Sequence, residues 1–128
     1  MAVEGKVSES FGPTLAEWDR DGSAGRRRRW SFLCGELGVG ESQLGELRYQ
    51  LFHRAASALI AARQVRARLA LVVVHSFSDR DAGFDDFRNW TSIFGQKPNV
   101  GEIAVLRSHP DLTLYGGWVR GDPKFLAM

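Results

Sequence analysis

Three stretches of the chain place hydrophobic side chains three and four residues apart, which is the spacing of one helix face. We expect helices over about Gly25 to Leu37, Leu44 to Arg66 and Asp81 to Phe94. The first stripe is Trp30, Leu33, Cys34 and Leu37, the second is Leu47, Leu51, Ala55, Ala58, Leu59, Ala62 and Val65, and the third is Phe84, Phe87, Thr91 and Phe94, with Trp90 beside it. A shorter helix begins at Thr14, because Thr14 and Glu17 have the spacing of a capping box. The aromatic stripe Phe84, Phe87, Trp90 and Phe94 predicts core contacts rather than a base-stacking surface.

Other apolar runs have the spacing of strands. The chain opens with a predicted strand at Ala2 to Val7, and Leu69 to Ser76 is a run of branched residues typical of a buried strand inside a sheet. Two further runs, Ile103 to Arg107 and Leu112 to Val119, predict a hairpin that turns at Pro110-Asp111. A helix followed closely by a buried strand forms an α/β unit. We therefore expect the α/β class, with a mixed β-sheet flanked by helices.

Length and composition restrict the class of protein. A chain of 128 residues has room for one domain, which we expect to cover residues 1–128. The single cysteine, Cys34, excludes a disulfide framework and lies on an apolar stripe, where a core position is expected. The longest apolar run, Leu69 to Val74, is far shorter than the roughly 20 residues that span a bilayer, and no secretory signal opens the sequence. We expect a cytoplasmic protein that does not bind membranes.

The charge is distributed unevenly along the chain. Residues 20–68 carry ten arginines against four acidic residues, whereas residues 1–19 carry four acidic residues and one lysine. A basic segment of this kind is compatible with a polyanionic partner, and we expect that segment 20–68 would contact nucleic acid if the protein binds it. The alternative is a solvated helix surface with no partner, which charge alone favours.

The first predicted strand carries the candidate chemistry, the tripeptide Glu4-Gly5-Lys6. Residues two apart on a strand share a face, so the Glu4 carboxylate and the Lys6 ammonium are expected side by side. A carboxylate is a hard ligand for Mg²⁺ or Mn²⁺, and a lysine beside it can orient a water or offset charge on a phosphate. Gly5 would let a backbone carbonyl approach the metal. The pattern is short enough to arise by chance, and the alternative is a surface strand with a weak Glu–Lys ion pair.

The longest predicted helix carries a second pair of polar residues. Gln50 and Arg54 are four residues apart and are neighbours on the helix surface. At about 100° per residue, Arg54 projects within about 20° of Leu47, at the border of the apolar stripe. An arginine at that border must extend its head to water or find a buried anion. The three histidines lack zinc-ligand spacing, and we expect structural roles for them.

Four segments resemble an uncharacterised bacterial family that contains a domain of unknown function. They are Val3 to Val7 followed by Phe11-Gly12-Pro13, Arg48 to Ala58, Val74 to Ser78, and Gly117 to Asp122. The resemblance covers about Ala2 to Leu126. That family in turn resembles the PD-(D/E)XK nuclease superfamily, in which a strand carrying Glu-x-Lys is followed by a helix and another buried strand. The resemblance implies a restriction-endonuclease-like core.

The resemblance also implies roles for individual residues in a metal-dependent phosphodiester hydrolase. Glu4 and the Gly5 carbonyl would hold Mg²⁺ or Mn²⁺, and Lys6 would be the catalytic lysine. Some branches of the superfamily add a glutamine on the next helix with a partner four residues on. Gln50 and Arg54 occupy those places here, although the usual partner is a tyrosine.

One departure from the superfamily pattern limits this hypothesis. The upstream strand that supplies a second acidic ligand is absent, since Met1, Ala2 and Val3 alone precede Glu4. The resembling family has a long N-terminal portion before this point, so we expect the chain to correspond to the C-terminal portion of that family. We therefore expect a core that lacks its N-terminal elements, with weak metal binding and doubtful activity. The alternative is a non-catalytic interaction module that keeps the nuclease-like fold. In that case the exposed first strand could pair with a second copy and form a homodimer.

Overall fold

A computed structural model describes residues 11–18, 23–40, 46–76, 81 and 83–121 of the protein, together with the backbone of residues 2–6. Within this part of the chain there are four strands and four helices. In chain order they are β1 (Ala2–Lys6), α1 (Leu15–Trp18), α2 (Ala24–Leu37), α3 (Tyr49–Gln64), β2 (Leu69–Ser76), α4 (Phe84–Ser92), β3 (Ile103–Ser108) and β4 (Thr113–Arg120).

The four strands form one mixed sheet in the order β1-β2-β4-β3. Strand β2 is parallel to both β1 and β4, and β3 is antiparallel to β4. The hairpin closes where the His109 N–H donates to the Leu112 carbonyl over 2.9 Å. The predicted α/β class, the mixed sheet, the interior position of β2 and the C-terminal hairpin are confirmed.

One face of this sheet is covered by helices and forms the core. Along β2, the residues Ala70, Val72, Val74 and Ser76 are buried, and the residues between them are more exposed. Helix α3 packs on β1 and β2, and α2 packs on α3. Helix α4 covers β4, where Phe87 contacts Trp118 with ring centroids 5.8 Å apart. The predicted core positions of the α4 aromatic stripe and of Cys34 are confirmed, since Phe87, Trp90 and Cys34 are all buried.

Helix α3 begins later than predicted. Residues 46–48 are not helical, because Thr14 and Arg48 form an antiparallel bridge and the Leu15 N–H donates to the Leu47 carbonyl over 2.8 Å. The expected start at Leu44 was therefore wrong for residues 46–48, and residues 44 and 45 lie outside the described part of the chain. The helix ends at Gln64, two residues before the predicted end.

The predicted capping box and the predicted start of α4 can be compared with the helix ends in the structure. The capping box is confirmed: the Thr14 N–H donates to Glu17 Oε1 over 3.0 Å, and the Glu17 N–H donates to Thr14 Oγ1 over 3.3 Å. Helix α4 begins at Phe84 instead of Asp81, since Gly83 is its N-cap and adopts φ 89°. In the described ranges, no helix has the length and apolar character needed to cross a membrane.

Candidate functional site

The backbone register places the Glu4-Gly5-Lys6 segment relative to the core. Glu4 is paired with Val74 and Lys6 with Ser76, and these two partners are buried residues of the helix-covered face. Residues in register on neighbouring strands belong to the same face, so Glu4 and Lys6 occupy positions of that face. The side chains of residues 4–6 lie outside the described part of the structure. The metal-binding role of Glu4 and Gly5 and the catalytic role of Lys6 therefore stay predictions.

The topology brings the start of α3 to the end of β1. Strands β1 and β2 are parallel, so both carboxyl ends lie at one edge of the sheet. Helix α3 packs on these strands and leads into β2 through a short connection, so it runs back across the sheet and its first turn lies at that same edge. Lys6, the last residue of β1, and Gln50, in the first turn of α3, thus share one edge.

A cleft of about 530 Å³ opens at the start of α3, and we call it the Arg54 cleft. Its described lining is Phe11, Gly12, Pro13, Arg29, Tyr49, Gln50, His53 and Arg54. The structure thus brings Gln50 and Arg54 together, as their spacing predicted, and adds Arg29 from α2. Arg54 is solvent-exposed, which agrees with the first of the two expectations for an arginine at that border, namely that its head extends to water. Leu47, the reference for that angle, lies outside the helix.

The wall formed by residues 11–13 is fixed to α3 by hydrogen bonds. The Tyr49 N–H donates to the Pro13 carbonyl over 3.2 Å, and Arg48 Nη1 donates to the Gly12 carbonyl over 2.8 Å. Arg48 also binds Asp86 of α4, with Nε 3.3 Å from Oδ2. Phe11 is fully buried, edge-on to Trp118 at 6.2 Å between centroids. The cleft is therefore built on the core and not on a loose surface loop.

Aromatic contacts hold the helices around the cleft. Tyr49 stacks on Trp18 of α1 with ring centroids 4.1 Å apart and an interplanar angle of 9°. The Arg26 guanidinium lies 5.6 Å from the centroid of the Trp18 ring and donates a hydrogen bond to the Trp18 carbonyl. These contacts join the first turn of α2 to the start of α3. They explain how Arg29, one turn further along α2, comes to lie beside Arg54 in the same cleft.

The described lining of the cleft is cationic. Arg29 and Arg54 contribute two guanidiniums, His53 an imidazole and Gln50 an amide, and no carboxylate belongs to the lining among the described residues. Guanidinium groups bind phosphate oxygens through paired N–H donors. No group of three or more His, Cys, Asp or Glu side chains that could hold a metal ion occurs in the described ranges. This lining is suited to an anion and not to a divalent cation.

The basic segment 20–68, which we expected to contact any nucleic acid, includes Arg29, but the sequence did not show that Arg29 and Tyr49 would line the same cleft. The run of four arginines that ends at Arg29 was visible, but the face of α2 that meets α3 depends on tertiary packing. Tyr49 directly precedes Gln50, and its position follows from the start of α3, which was predicted too early. His53 is exposed.

An ion pair lies at the carboxyl end of β4. Arg120 Nε donates to both carboxylate oxygens of Asp81, over 2.9 and 3.1 Å. The hydrogen bonds from Arg120 hold the pKa of Asp81 below its usual value. The pair joins the end of β4 to the segment that leads into α4, which is a structural role.

Comparison with known proteins tests the predicted family. No curated protein and no solved structure matches the chain. One family does match, and its description is "Domain of unknown function (DUF6946)". The match covers residues 1–123, nearly the whole sequence, and it confirms the expectation of an uncharacterised domain. The chain therefore belongs to the DUF6946 family.

Proposed function

We propose that this protein is a nuclease-like domain that binds the phosphodiester backbone of nucleic acid in the Arg54 cleft and hydrolyses it with the help of Lys6. The observation that supports this proposal is the cationic cleft, with Arg29, Gln50 and Arg54, at the sheet edge where β1 ends. The order of a Glu-x-Lys strand, a helix and a parallel buried strand agrees with the resemblance to the PD-(D/E)XK superfamily. The restriction-endonuclease-like fold is part of this proposal.

Each residue has a defined role in the proposal. Arg29 and Arg54 would hold the non-bridging oxygens of one phosphate by charge-assisted hydrogen bonds. The Gln50 amide, one helical turn before Arg54, would donate to a neighbouring oxygen and fix the orientation of the backbone. Lys6 would offset the negative charge that develops on the phosphate under attack, or orient the attacking water.

The resemblance implies a Mg²⁺ or Mn²⁺ ion held by Glu4 and the Gly5 carbonyl. The described residues around the cleft add two guanidiniums and no carboxylate, so they do not fit a divalent cation. One carboxylate with one carbonyl makes a weak site for such ions, which prefer several oxygen ligands. We therefore assign no step of the reaction to a metal.

A cleavage assay tests the catalytic part of the proposal. Labelled single-stranded and duplex DNA would be incubated with the full chain in Mg²⁺, in Mn²⁺ and in EDTA. We compare Lys6→Ala with the matched control Lys97→Ala, since Lys97 is an exposed lysine outside the Arg54 cleft. The proposal expects the wild type and K97A to cleave the DNA in at least one of these three conditions, and K6A to lose most of that activity. Equal rates in all three proteins, or no cleavage by any of them, would rule out the hydrolase.

A binding assay tests the Arg54 cleft separately. Fluorescence anisotropy with the same DNA should show weaker binding by Arg54→Ala, while Arg27→Ala, an exposed arginine of α2 outside the cleft, binds as the wild type does. Affinity should fall steeply as salt rises, because phosphate contacts release counterions. If R54A and R27A weakened DNA binding equally, overall charge would explain the loss of affinity, and this result would contradict binding in a defined cleft.

The second candidate is an interaction module without catalysis, favoured by the position of β1. Within the described residues β1 is an edge strand of the sheet, and an open edge can pair with another strand. We propose that in this case two copies associate through β1 as a homodimer. Sedimentation of the purified chain distinguishes the candidates: a dimer that neither binds nor cleaves DNA supports the module, and a monomer that binds DNA excludes it.

A further inference from the structure

A second cleft lies at the other end of α3, and the proposed function makes no use of it. We call it the Arg66 cleft; its volume is about 770 Å³. Its described lining is Arg63, Arg66, Ala67, Arg68, His109, Pro110, Asp111, Leu112 and Thr113. It lies between the end of α3 and the turn of the β3–β4 hairpin. Since α3 has 16 residues, the length of the helix, about 24 Å, separates it from the Arg54 cleft.

The charges around the Arg66 cleft favour an anion. Arg63, Arg66 and Arg68 are solvent-exposed, and Asp111 is the acidic residue of the described lining. Arg63 is already paired with Glu36 of α2. In the described part of the chain, Arg66 and Arg68 form no ion pair with a carboxylate. Two guanidiniums are thus available for a ligand at the mouth of the cleft.

The backbone at Arg66 is strained in a way that points to a use for its side chain. Arg66 adopts φ 56°, the left-handed region, where a helix usually ends on glycine. The turn is closed by the Ala67 N–H, which donates to the Ala62 carbonyl over 2.8 Å, and by the Arg66 N–H, which donates to the Arg63 carbonyl over 3.1 Å. A β-carbon in this conformation costs stability that glycine would avoid. Strain of this kind is a reason to look for a functional role.

The opposite wall of the cleft is fixed to the sheet. The Thr113 N–H donates to the Arg68 carbonyl over 3.0 Å, which joins the segment after α3 to the start of β4. Arg107 Nε donates to His109 Nε2 over 2.6 Å, which holds the His109 ring beside β3. The ring also belongs to the lining of the cleft. Hydrogen bonds therefore join both walls of the cleft to the rest of the fold.

We propose that the Arg66 cleft is a binding site for a phosphate group, held by Arg66 and Arg68 and assisted by the His109 ring. The phosphate belongs either to a free nucleotide or to a nucleic-acid strand, and both present the same oxygens to the guanidiniums. A competing explanation is that the arginines only stabilise the carboxyl end of α3, whose helix dipole favours cations. The two explanations predict different behaviour of a glycine at position 66.

The test measures binding and thermal stability on the same proteins. Calorimetry would measure the binding of adenosine monophosphate and of a short oligothymidylate to the wild type, Arg66→Gly, Arg68→Ala and Asp111→Asn. We expect R66G to bind at least one probe about tenfold more weakly, a loss of about 1.4 kcal/mol, although it unfolds at or above the wild-type temperature. R68A should weaken binding similarly, and D111N should strengthen it. Loss of mononucleotide binding identifies a nucleotide site, and loss confined to the oligonucleotide identifies a strand contact.

Controls separate this site from the Arg54 cleft and from overall charge. Arg27→Ala removes one exposed arginine outside both clefts and should bind both probes as the wild type does. Arg54→Ala should leave mononucleotide binding at the Arg66 cleft unchanged. The proposal is overturned if the wild type binds neither probe, or if R66G and R68A bind both probes with wild-type affinity. It is also overturned if R66G destabilises the protein without weakening binding, the result that a helix-capping role predicts.

Discussion

At the scale of single residues, the predictions that followed from alternation along a strand were the most accurate. The two-residue spacing of Glu4 and Lys6 predicted a shared face, and the register with Val74 and Ser76 places both positions on the helix-covered face. The angle between Arg54 and Leu47 does not apply because Leu47 lies before the helix, although Arg54 does extend to solvent, as one of its two expectations stated. The set of residues that share one face of a strand does not change when the start of the strand is misplaced by a few residues. An angle around a helix, in contrast, depends on the residue from which it is measured.

Gly117 of β4 gives a prediction about packing. A β-carbon at Gly117 would lie 2.4 Å from Ile103 Cδ1 and 3.0 Å from the Glu102 carbonyl oxygen, which belongs to the backbone and cannot rotate away. We expect Gly117→Ala to destabilise the protein by about 1–3 kcal/mol through overpacking. Urea unfolding measures the change. The control is Gly35→Ala in α2, where a β-carbon meets nothing within 4 Å. It should stabilise by about 0.5–1 kcal/mol, and a loss as large as that of G117A would contradict the packing argument.

The Asp81–Arg120 pair gives a prediction about pH. The hydrogen bonds from Arg120 lower the pKa of Asp81 below 3.8, so the folded protein favours the ionised carboxylate. Its contribution to stability is therefore complete above the unfolded pKa and is lost as the pH falls through the folded pKa. We expect Asp81→Asn to be less stable than the wild type at neutral pH, and the two to converge in acid. The measurement is urea unfolding of both proteins over that range; a difference that does not change with pH would exclude this origin.

At the scale of helices and strands, the type of each element was predicted from the sequence more accurately than the residues at which it begins and ends. The strands β1 and β2 and the hairpin lie where alternation and branched residues predicted them. The start of α3 was missed because residues 46–48 bond to the segment after Phe11, a contact between distant parts of the chain that overrides local helical spacing. The first turn of α4 was missed because Gly83 takes a positive φ before the helix begins. Tertiary contacts and glycine conformations of this kind leave little trace in periodicity.

The start of α2 allows a test of helix capping. Ser23 is its N-cap, and the Arg26 N–H donates to Ser23 Oγ over 3.2 Å, while four arginines in the first turns oppose the helix dipole. Because the arginines already make the start of the helix less stable, its N-cap is important, and we expect Ser23→Ala to reduce the stability of the protein by about 1 kcal/mol. Thermal unfolding and hydrogen exchange in α2 would show the loss. Ser57→Ala, at an exposed position inside α3, is the matched control and should be neutral or slightly stabilising; equal effects of the two changes would argue against a capping role for Ser23.

At the scale of the whole molecule, the positions of the two cationic clefts were the feature that was hardest to predict from the sequence. The basic segment 20–68 was visible as a count of arginines, but the same count fits a solvated surface. Folding separates these arginines into two groups, Arg29 with Arg54 at one end of α3 and Arg63, Arg66 and Arg68 at the other. Others have structural roles, as Arg48 does when it binds Gly12 and Asp86. Which role an arginine takes is decided by the packing of α2 and α3, and not by its position in the run.

The continuity of the core leads to a prediction for the whole chain. One cluster of buried residues contains members of α1, α2, α3, α4, β2, β3 and β4. Within it, the ring of Trp118 contacts the rings of Phe11, Phe84 and Phe87. Because no described helix has a core of its own, the protein should unfold in one cooperative transition, as expected for one domain of this length. Tryptophan fluorescence follows all four tryptophans, of which Trp90 and Trp118 are buried, and circular dichroism follows the helices. The two urea curves should coincide in the wild type and shift together in Trp118→Phe. Separated midpoints would show that the chain contains more than one folding unit.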